Sequence, residues 1–216
     1  MIVDATIVDS PHHPHLPKNL VIVGDREDTR SELQKLDEVA YHAELKYTEP
    51  SIDHEARWVS RGNVSRFGFK HHVVTDPNGI VLSVLTTSAN VTDTTMFKQL
   101  LDTVDLPLAT PVLVDKGYEC KSNRDYVHAH HYTDGLMYKK SKGEDPSPTK
   151  ARCNRRISAG RYAIERTFGS VHIWFGGGCA RYRGIAKTHT QGILEFMAYN
   201  IKRMLRLELR EHDAMW

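Results

Sequence analysis

Three acids stand where acids are out of place. Asp4 interrupts the apolar run Ile2-Val3-Asp4-Ala5-Thr6-Ile7-Val8, and Asp115 closes the run Val112-Leu113-Val114. Glu165 lies beside a stripe made by Ile157, Ile164, Phe168, Val171 and Phe175. Carboxylates seldom border an apolar core unless they are paired or hold a metal. Three of them together point to a shared cation. Hard oxygen ligands favour Mg²⁺ or Mn²⁺, and a pair of such ions serves phosphoryl transfer by activating the attacking oxygen and stabilising the leaving one. Each acid also has a plainer reading. Asp115 fits a turn at a strand end, Glu165 an i,i+4 ion pair in a basic helix, and Asp4 a frayed chain start. Asp9 abuts Ser10-Pro11 and reads as a turn residue.

The elements that must position these acids follow from residue pattern. Ile2 to Val8 reads as a strand, and the proline-rich stretch 10–19 as a loop. Residues 25–49 are charged, with Leu33, Leu36, Val39, Ala40 and Ala43 at helical spacing, and form a surface helix or an insertion. Phe67 to Val74 and Ile80 to Thr87 flank Asp76-Pro77-Asn78-Gly79, a turn sequence that makes them a hairpin. A helix from Thr94 to Val104, a buried strand at Pro111–Val114, a helix from Ser122 to about His131 and a strand at Leu136–Tyr138 follow. One long basic helix is expected from Thr149 to Phe175, with Gly160 and Gly169 as weak points. In a last helix, Leu194, Met197, Ala198, Ile201, Met204 and Leu205 are expected to face the core. The order predicts a mixed α/β domain around a central sheet.

Composition narrows the class. The chain has 216 residues, 40% hydrophobic and 26% charged, and no run approaches a membrane span. Cys120, Cys153 and Cys179 are scattered and form no CxxC pair, and the N-terminus lacks the basic region of a signal peptide. These features suit a reducing, cytoplasmic setting. The net charge of +2 hides an asymmetry. Residues 1–138 carry 13 basic and 20 acidic residues, whereas residues 139–210 carry 16 basic and 5 acidic ones. Such a basic half suits a polyanionic partner, or merely a solvated helix face.

Four segments carry a family resemblance: VDATIV (3–8), EARWVSRGNVSRFGFKHHVVTDPNGIVLSVLTTSANVTDT (55–94), VLVDKGYECKSNRDY (112–126) and ISAGRYAIERTFGSVHIWFGGGCARYRGIAKTHTQGILEFMAYNIKR (157–203). In this order the chain resembles bacterial insertion-sequence transposases of the DDE type, in the branch named after insertion sequence five. The resemblance implies a ribonuclease H-like fold with a mixed central β-sheet flanked by helices. That domain would span 1–210, with a charged insertion at about 10–60 and a tail at 211–216. It implies that Asp4, Asp115 and Glu165 are the catalytic triad and the ligands of two Mg²⁺ or Mn²⁺ ions. It further implies hydrolytic cleavage at transposon ends and attack of the freed 3′-hydroxyl on target DNA.

Around the third acid the wider group carries Tyr-x2-Arg-x3-Glu-x6-Lys. Here Arg161 and Glu165 match, Ser158 stands at the Tyr position, and His172 stands where Lys is expected. Histidine is mostly neutral near pH 7, so weaker DNA-end binding than with Lys is expected. Lys116, Arg161, His172, Arg181, Arg183 and Lys187 are candidate DNA contacts, though surface charge explains several equally well. Asn90 and Asp93 match the family's Ala-Asn-x-x-Asp segment, and Asp93 suits an N-cap. Trp174 could stack on a base or pack against the core, and His12, His13 and His15 read as solvent-facing.

Family members carry an N-terminal DNA-binding region, whereas only three residues precede Asp4 in this sequence. The expected partners are therefore transposon-end and target DNA, a second copy in a synaptic complex, and a separately encoded DNA-binding protein. The expected location is bacterial cytoplasm, near the nucleoid. The competing reading is an inactive fragment that binds DNA or dimerises and so regulates a full-length enzyme.

Overall fold

Runs rich in β-branched residues build the sheet, and its central strand is buried on both faces. In the computed structural model, residues 1–14, 52–140 and 147–213 are described. The strands are β1 (Ile2–Asp9), β2 (Arg57–Arg61), β3 (Val64–Thr75), β4 (Val81–Ser88), β5 (Pro111–Val114) and β6 (Thr133–Leu136). The helices are α1 (Asp93–Leu101), α2 (Lys121–Ala129), α3 (Pro148–Gly160), α4 (Tyr162–Phe175) and α5 (Ile185–Asp213), with a 3₁₀ turn at Lys116–Tyr118. The expected insertion at 25–49, and His15, lie outside the described residues.

The sheet runs β2-β3-β1-β5-β6, and β4 also pairs with β3. β1 is antiparallel to β3 but parallel to β5, and β5 is parallel to β6, so the sheet is mixed as expected. The hairpin turn holds: Gly79 takes φ +86°, which glycine adopts without strain, and Asp76 Oδ1 accepts the Ile80 N–H. Met1, Val3, Val112 and Val114 pack on one face with Phe97, Leu100 and Leu101 of α1 and Val127 of α2. Ile2 and Val73 pack on the other face with Ile164 and Val171 of α4 and Phe196 and Tyr199 of α5.

Five expectations are corrected. The basic helix is two helices, broken at Arg161 (φ −82°, ψ −6°). A Cβ on Gly160 would meet Leu113 Cδ1 at 2.5 Å, so the bare glycine lets α3 close on β5 before the chain turns. The N-cap position is Thr92 in α1, not Asp93, and Cys120 in α2, not Ser122, and neither side chain makes a capping hydrogen bond. The last strand ends at Leu136 rather than Tyr138. In α5 the apolar face points outward: Leu194, Met197, Ile201, Met204 and Leu205 are 46–60% exposed. The buried face is Thr188, Gln191, Glu195, Phe196 and Tyr199. Polar residues sit there because Gln191 and Glu195 hydrogen-bond each other and Gln191 also takes the Cys179 carbonyl. Gly192 sits there because a Cβ would collide with the His71 ring at 2.7 Å.

His71 is buried between β4 and α5, its Nδ1 2.8 Å from Thr86 Oγ1, and Thr86 Oγ1 also meets His189 Nδ1 at 3.0 Å. Burial first, then the neighbouring His189, His72 and His172, pull its pKa down to about 3. His72, on the other face, is lowered to about 4, chiefly by burial. A histidine held neutral in the fold but titrating near 6.5 when unfolded stabilises the protein above pH 6.5. That stability is lost as pH falls below 6.5 towards 3, where only the unfolded chain takes the proton. Urea midpoints of wild type and His71→Gln, taken between pH 7 and 5, will converge as pH falls. The difference attributable to His71 is about 2 kcal/mol over roughly 1.5 pH units. Parallel curves would show that His71 is not kept neutral.

Candidate active site

Strand register brings two of the acids together. Ile2 pairs with Leu113 and Val3 with Val114 across parallel β1 and β5. Successive residues alternate faces, so the next step along both strands puts Asp4 and Asp115 side by side on the face of Ile2 and Leu113. That face looks towards α4. Pairing with β5 ends at this step, and the chain turns away from Asp115 into the 3₁₀ turn. Asp115 therefore stands just past the carboxyl end of β5, beside Asp4, the third residue of β1, with β1 leading on to β3 on one side and β5 to β6 on the other. Open α/β sheets place their ligand crevices at such switch points.

The break between α3 and α4 supplies the counter-charge. Arg161, 6% exposed, donates from Nη2 to Asp4 Oδ2 at 2.5 Å, and its Nη1 lies 3.3 Å from Asp115 Oδ1. Asp4 Oδ1 accepts the Ala5 N–H at 2.8 Å. The Asp4 side chain is 19% exposed and that of Asp115 45%. Burial pushes the Asp4 pKa up to about 6, against the pull of Arg161, so one shared guanidinium leaves this carboxylate short of positive charge. Arg161 Nε is buried with no hydrogen-bond partner.

Glu165 sits in the first turn of α4, one turn beyond Arg161, and is exposed. Among the described residues, no group of three or more His, Cys, Asp or Glu side chains is gathered to hold a metal ion. The structure thus joins Asp4 to Asp115 and leaves Glu165 on the adjacent rim. The donor set fits a hard divalent cation: two carboxylates already converge on one cation, and the more buried of them is incompletely neutralised.

The basic candidates separate. Lys116 is exposed beside Asp115. His172 is half-buried, with Nε2 3.1 Å from Thr6 Oγ1, two residues along the same face of β1 from Asp4. Burial, then the nearby Arg66 guanidinium, lowers its pKa, so it is neutral at pH 7. Arg181 donates to the Phe175 carbonyl at 3.2 Å and so closes the end of α4. Arg183 and Lys187 are exposed at the start of α5.

One positioning pair was not foreseen. Lys70, 5% exposed, donates to Asp93 Oδ1 at 2.8 Å and to the Val91 carbonyl at 2.7 Å. A Cβ on Gly117 would sit 3.2 Å from Asp93 Oδ2, so this ion pair backs the turn that follows Asp115. The signal was a lysine in the middle of a β3 run of aromatic and apolar residues, flanked by Phe69 and His71. Asp93, read as a helix cap, is its partner instead.

Residues 1–201 match the family model described as the transposase DDE domain. The chain is 34% identical over 154 residues to the transposase for insertion sequence element IS1106 of Neisseria meningitidis serogroup B, covering 71% of this chain and 53% of that protein. It is 31% identical over 119 residues to a transposase named for insertion sequence element IS402 of Burkholderia cepacia, covering 50% of this chain and 51% of that protein. The chain spans about half the length of these curated relatives. No solved structure matches it significantly.

Removing the guanidinium leaves two facing carboxylates with no counter-charge. Arg161→Gln will raise the Asp4 pKa above about 6, read by carboxyl ¹³C NMR. It will also cost about 3 kcal/mol of stability at neutral pH, as broken buried ion pairs do. Adding Asp4→Asn will restore part of that loss. No recovery in the double variant would mean that Arg161 acts through packing alone.

Proposed function

Since the chain belongs to the transposase DDE domain family, we propose that it is a catalytic domain of the insertion-sequence-five branch, with a ribonuclease H-like fold. Its proposed activity is metal-dependent cleavage of transposon-end DNA and transfer of the 3′-hydroxyl end to target DNA. The observation that carries this reading is the pairing of Asp4 with Asp115 around Arg161 at the point where β1 and β5 stop pairing.

Asp4 and Asp115, with Glu165 from the α4 rim, would hold two Mg²⁺ or Mn²⁺ ions. Such ions, when bound, supply Lewis-acid polarisation of the phosphate and a more acidic attacking hydroxyl or water. The chain's own groups do the rest. Asp4, held against the Ala5 amide, is fixed in orientation, while the more exposed Asp115 faces the approaching phosphodiester. Arg161 is charged at every relevant pH, so its guanidinium can pass from the carboxylates to phosphate oxygens as the site fills. Lys116, Arg183 and Lys187 would contact the backbone from the rim. Arg181 acts there chiefly by holding the end of α4 in place. A neutral His172, bonded to Thr6, offers a hydrogen bond where a lysine would offer a full charge.

The decisive experiment incubates the protein with labelled transposon-end duplex and Mg²⁺ or Mn²⁺, with and without an N-terminal DNA-binding partner. Nicking is expected, and Asp4→Asn, Asp115→Asn and Glu165→Gln should each abolish it. Metal-independent binding without nicking under both conditions would favour a regulatory fragment instead. His172→Lys is expected to tighten DNA binding and steepen its salt dependence by about one unit of slope. Equal affinities and slopes would remove His172 from the DNA contacts.

A further inference from the structure

Away from the paired acids, α4 presents a second polar face. Arg166, Ser170 and Trp174 recur every four residues on it, and they line a shallow groove against α5. Arg161 and His172 project from a different face of the same helix, towards β1. Across the groove stand Lys202, Arg203 and Arg206 of α5, and among the described residues no acidic side chain lines it. Arg166 Nη2 and Arg203 Nε both donate to the Asn78 carbonyl, at 2.7 and 2.9 Å. One neutral oxygen thus holds two guanidiniums together in the hairpin turn. Lys202 Nζ lies 4.8 Å from the centre of the Trp174 ring and 5.9 Å from that of Phe175. Arg166 Nε is buried with no partner, while Trp174 is 69% exposed.

Four cations held side by side repel one another. Burying an arginine nitrogen unpaired adds a further cost. Carbonyl oxygens and aromatic faces offset this only in part, because neither carries a net negative charge. The arrangement gains most from a multivalent anion. Its position selects the kind of anion. An α-helix with its side chains is about 10–12 Å across, close to the roughly 12 Å width of the DNA major groove. A duplex engaged on the acid side of α4 can therefore reach the groove on its far side.

We propose that the α4–α5 groove is a second phosphate-binding site that grips the DNA backbone non-specifically, across α4 from the paired acids. This rests on the reading of the protein as DNA-binding. Arg166 and Arg203 form the fixed floor, and Lys202 and Arg206 are the adjustable contacts. Trp174 reports occupancy, because a phosphate drawing Lys202 away changes the environment of its ring.

The test uses the whole chain and a short labelled duplex of arbitrary sequence. Affinity is measured by anisotropy across a salt series for wild type and for Lys202→Gln/Arg206→Gln. These positions spare the two arginines that brace the hairpin, and unchanged thermal midpoints will confirm folding. The double variant should bind more weakly, with a log–log salt slope shallower by about 2. The fraction of fluorescence removed by Trp174→Phe should also respond to duplex in wild type and not in the double variant. An unchanged slope with normal wild-type binding overturns the second site and leaves the DNA reading standing. No wild-type binding at any salt overturns both. If inorganic pyrophosphate reproduces the Trp174 response while the duplex does not, the groove takes small anions and the backbone assignment is wrong.

Discussion

The parallel register of β1 against β5 is the constraint on which the site depends. Only two residue pairs define it, Ile2 with Leu113 and Val3 with Val114. A slip of one residue in either strand would turn its acid to the opposite face, into the apolar cluster of Phe97, Leu100 and Tyr118. The register is protected by that same cost. Val3, Val112 and Val114 are fully buried on the α1 side, and Ile2 is 1% exposed on the α4 side. The N-terminal ammonium adds a further tether, donating to the Pro111 carbonyl at 2.9 Å. The core thus sets the position of two carboxylates that contribute little to the core themselves.

Electrostatics then explains the break at Arg161. A continuous helix from residue 148 to 175 would hold Arg161 in the regular progression of its surface. Ending α3 at Gly160 and restarting at Tyr162 instead lets Arg161 drop inward to both acids. Its backbone still serves both helices, donating to Ile157 and Ser158 and accepting from Ile164 and Glu165. The junction therefore costs few hydrogen bonds. Without this arginine, Asp4 would bear its desolvation cost unrelieved. With it, the pocket stays charged and folded while leaving Asp115 half open to solvent.

Much of this was legible in residue order because local chemistry decided it. Asp76-Pro77-Asn78-Gly79 could do little but turn, and the apolar runs that Asp4 interrupts and Asp115 closes marked both as acids bordering a core. The stripe from Ile157 to Phe175 is indeed the packed face of α3 and α4, with Ile157, Ile164 and Val171 buried. The errors share one cause: a side chain's partner is set by tertiary neighbours. The apolar run on α5 suggested a core face. Yet β3 offers the imidazole of His71 there, and the glycine turn before α5 offers bare carbonyls. Gly192 and Gln191 suit those neighbours better than leucine does. Asp93 had the composition of a cap, but a buried lysine on β3 needed it more. Glu165 was flagged by its place beside the apolar stripe, and it is exposed in the first turn of α4, one turn beyond Arg161.

The uneven charge along the chain also acquires a structural meaning. The acid-rich half builds the sheet and supplies Asp4 and Asp115, whereas the basic half builds α3, α4 and α5 around it. Had the charges been interleaved, surface ion pairs would have neutralised most of them at little gain in stability. Segregation leaves α4 between two unlike environments. On one flank, a buried arginine is matched by two acids. On the other, a groove of arginines and a lysine is met only by carbonyls and aromatic rings. The proposed cation-binding site and the proposed anion-binding surface, separated by a single helix diameter, suit a polyphosphate whose reacting linkage must be held while its neighbours are anchored. The outward apolar face of α5 plays no part in either flank, so the charge pattern of α4 and α5, and not hydrophobicity, ties this half of the fold to its proposed partner.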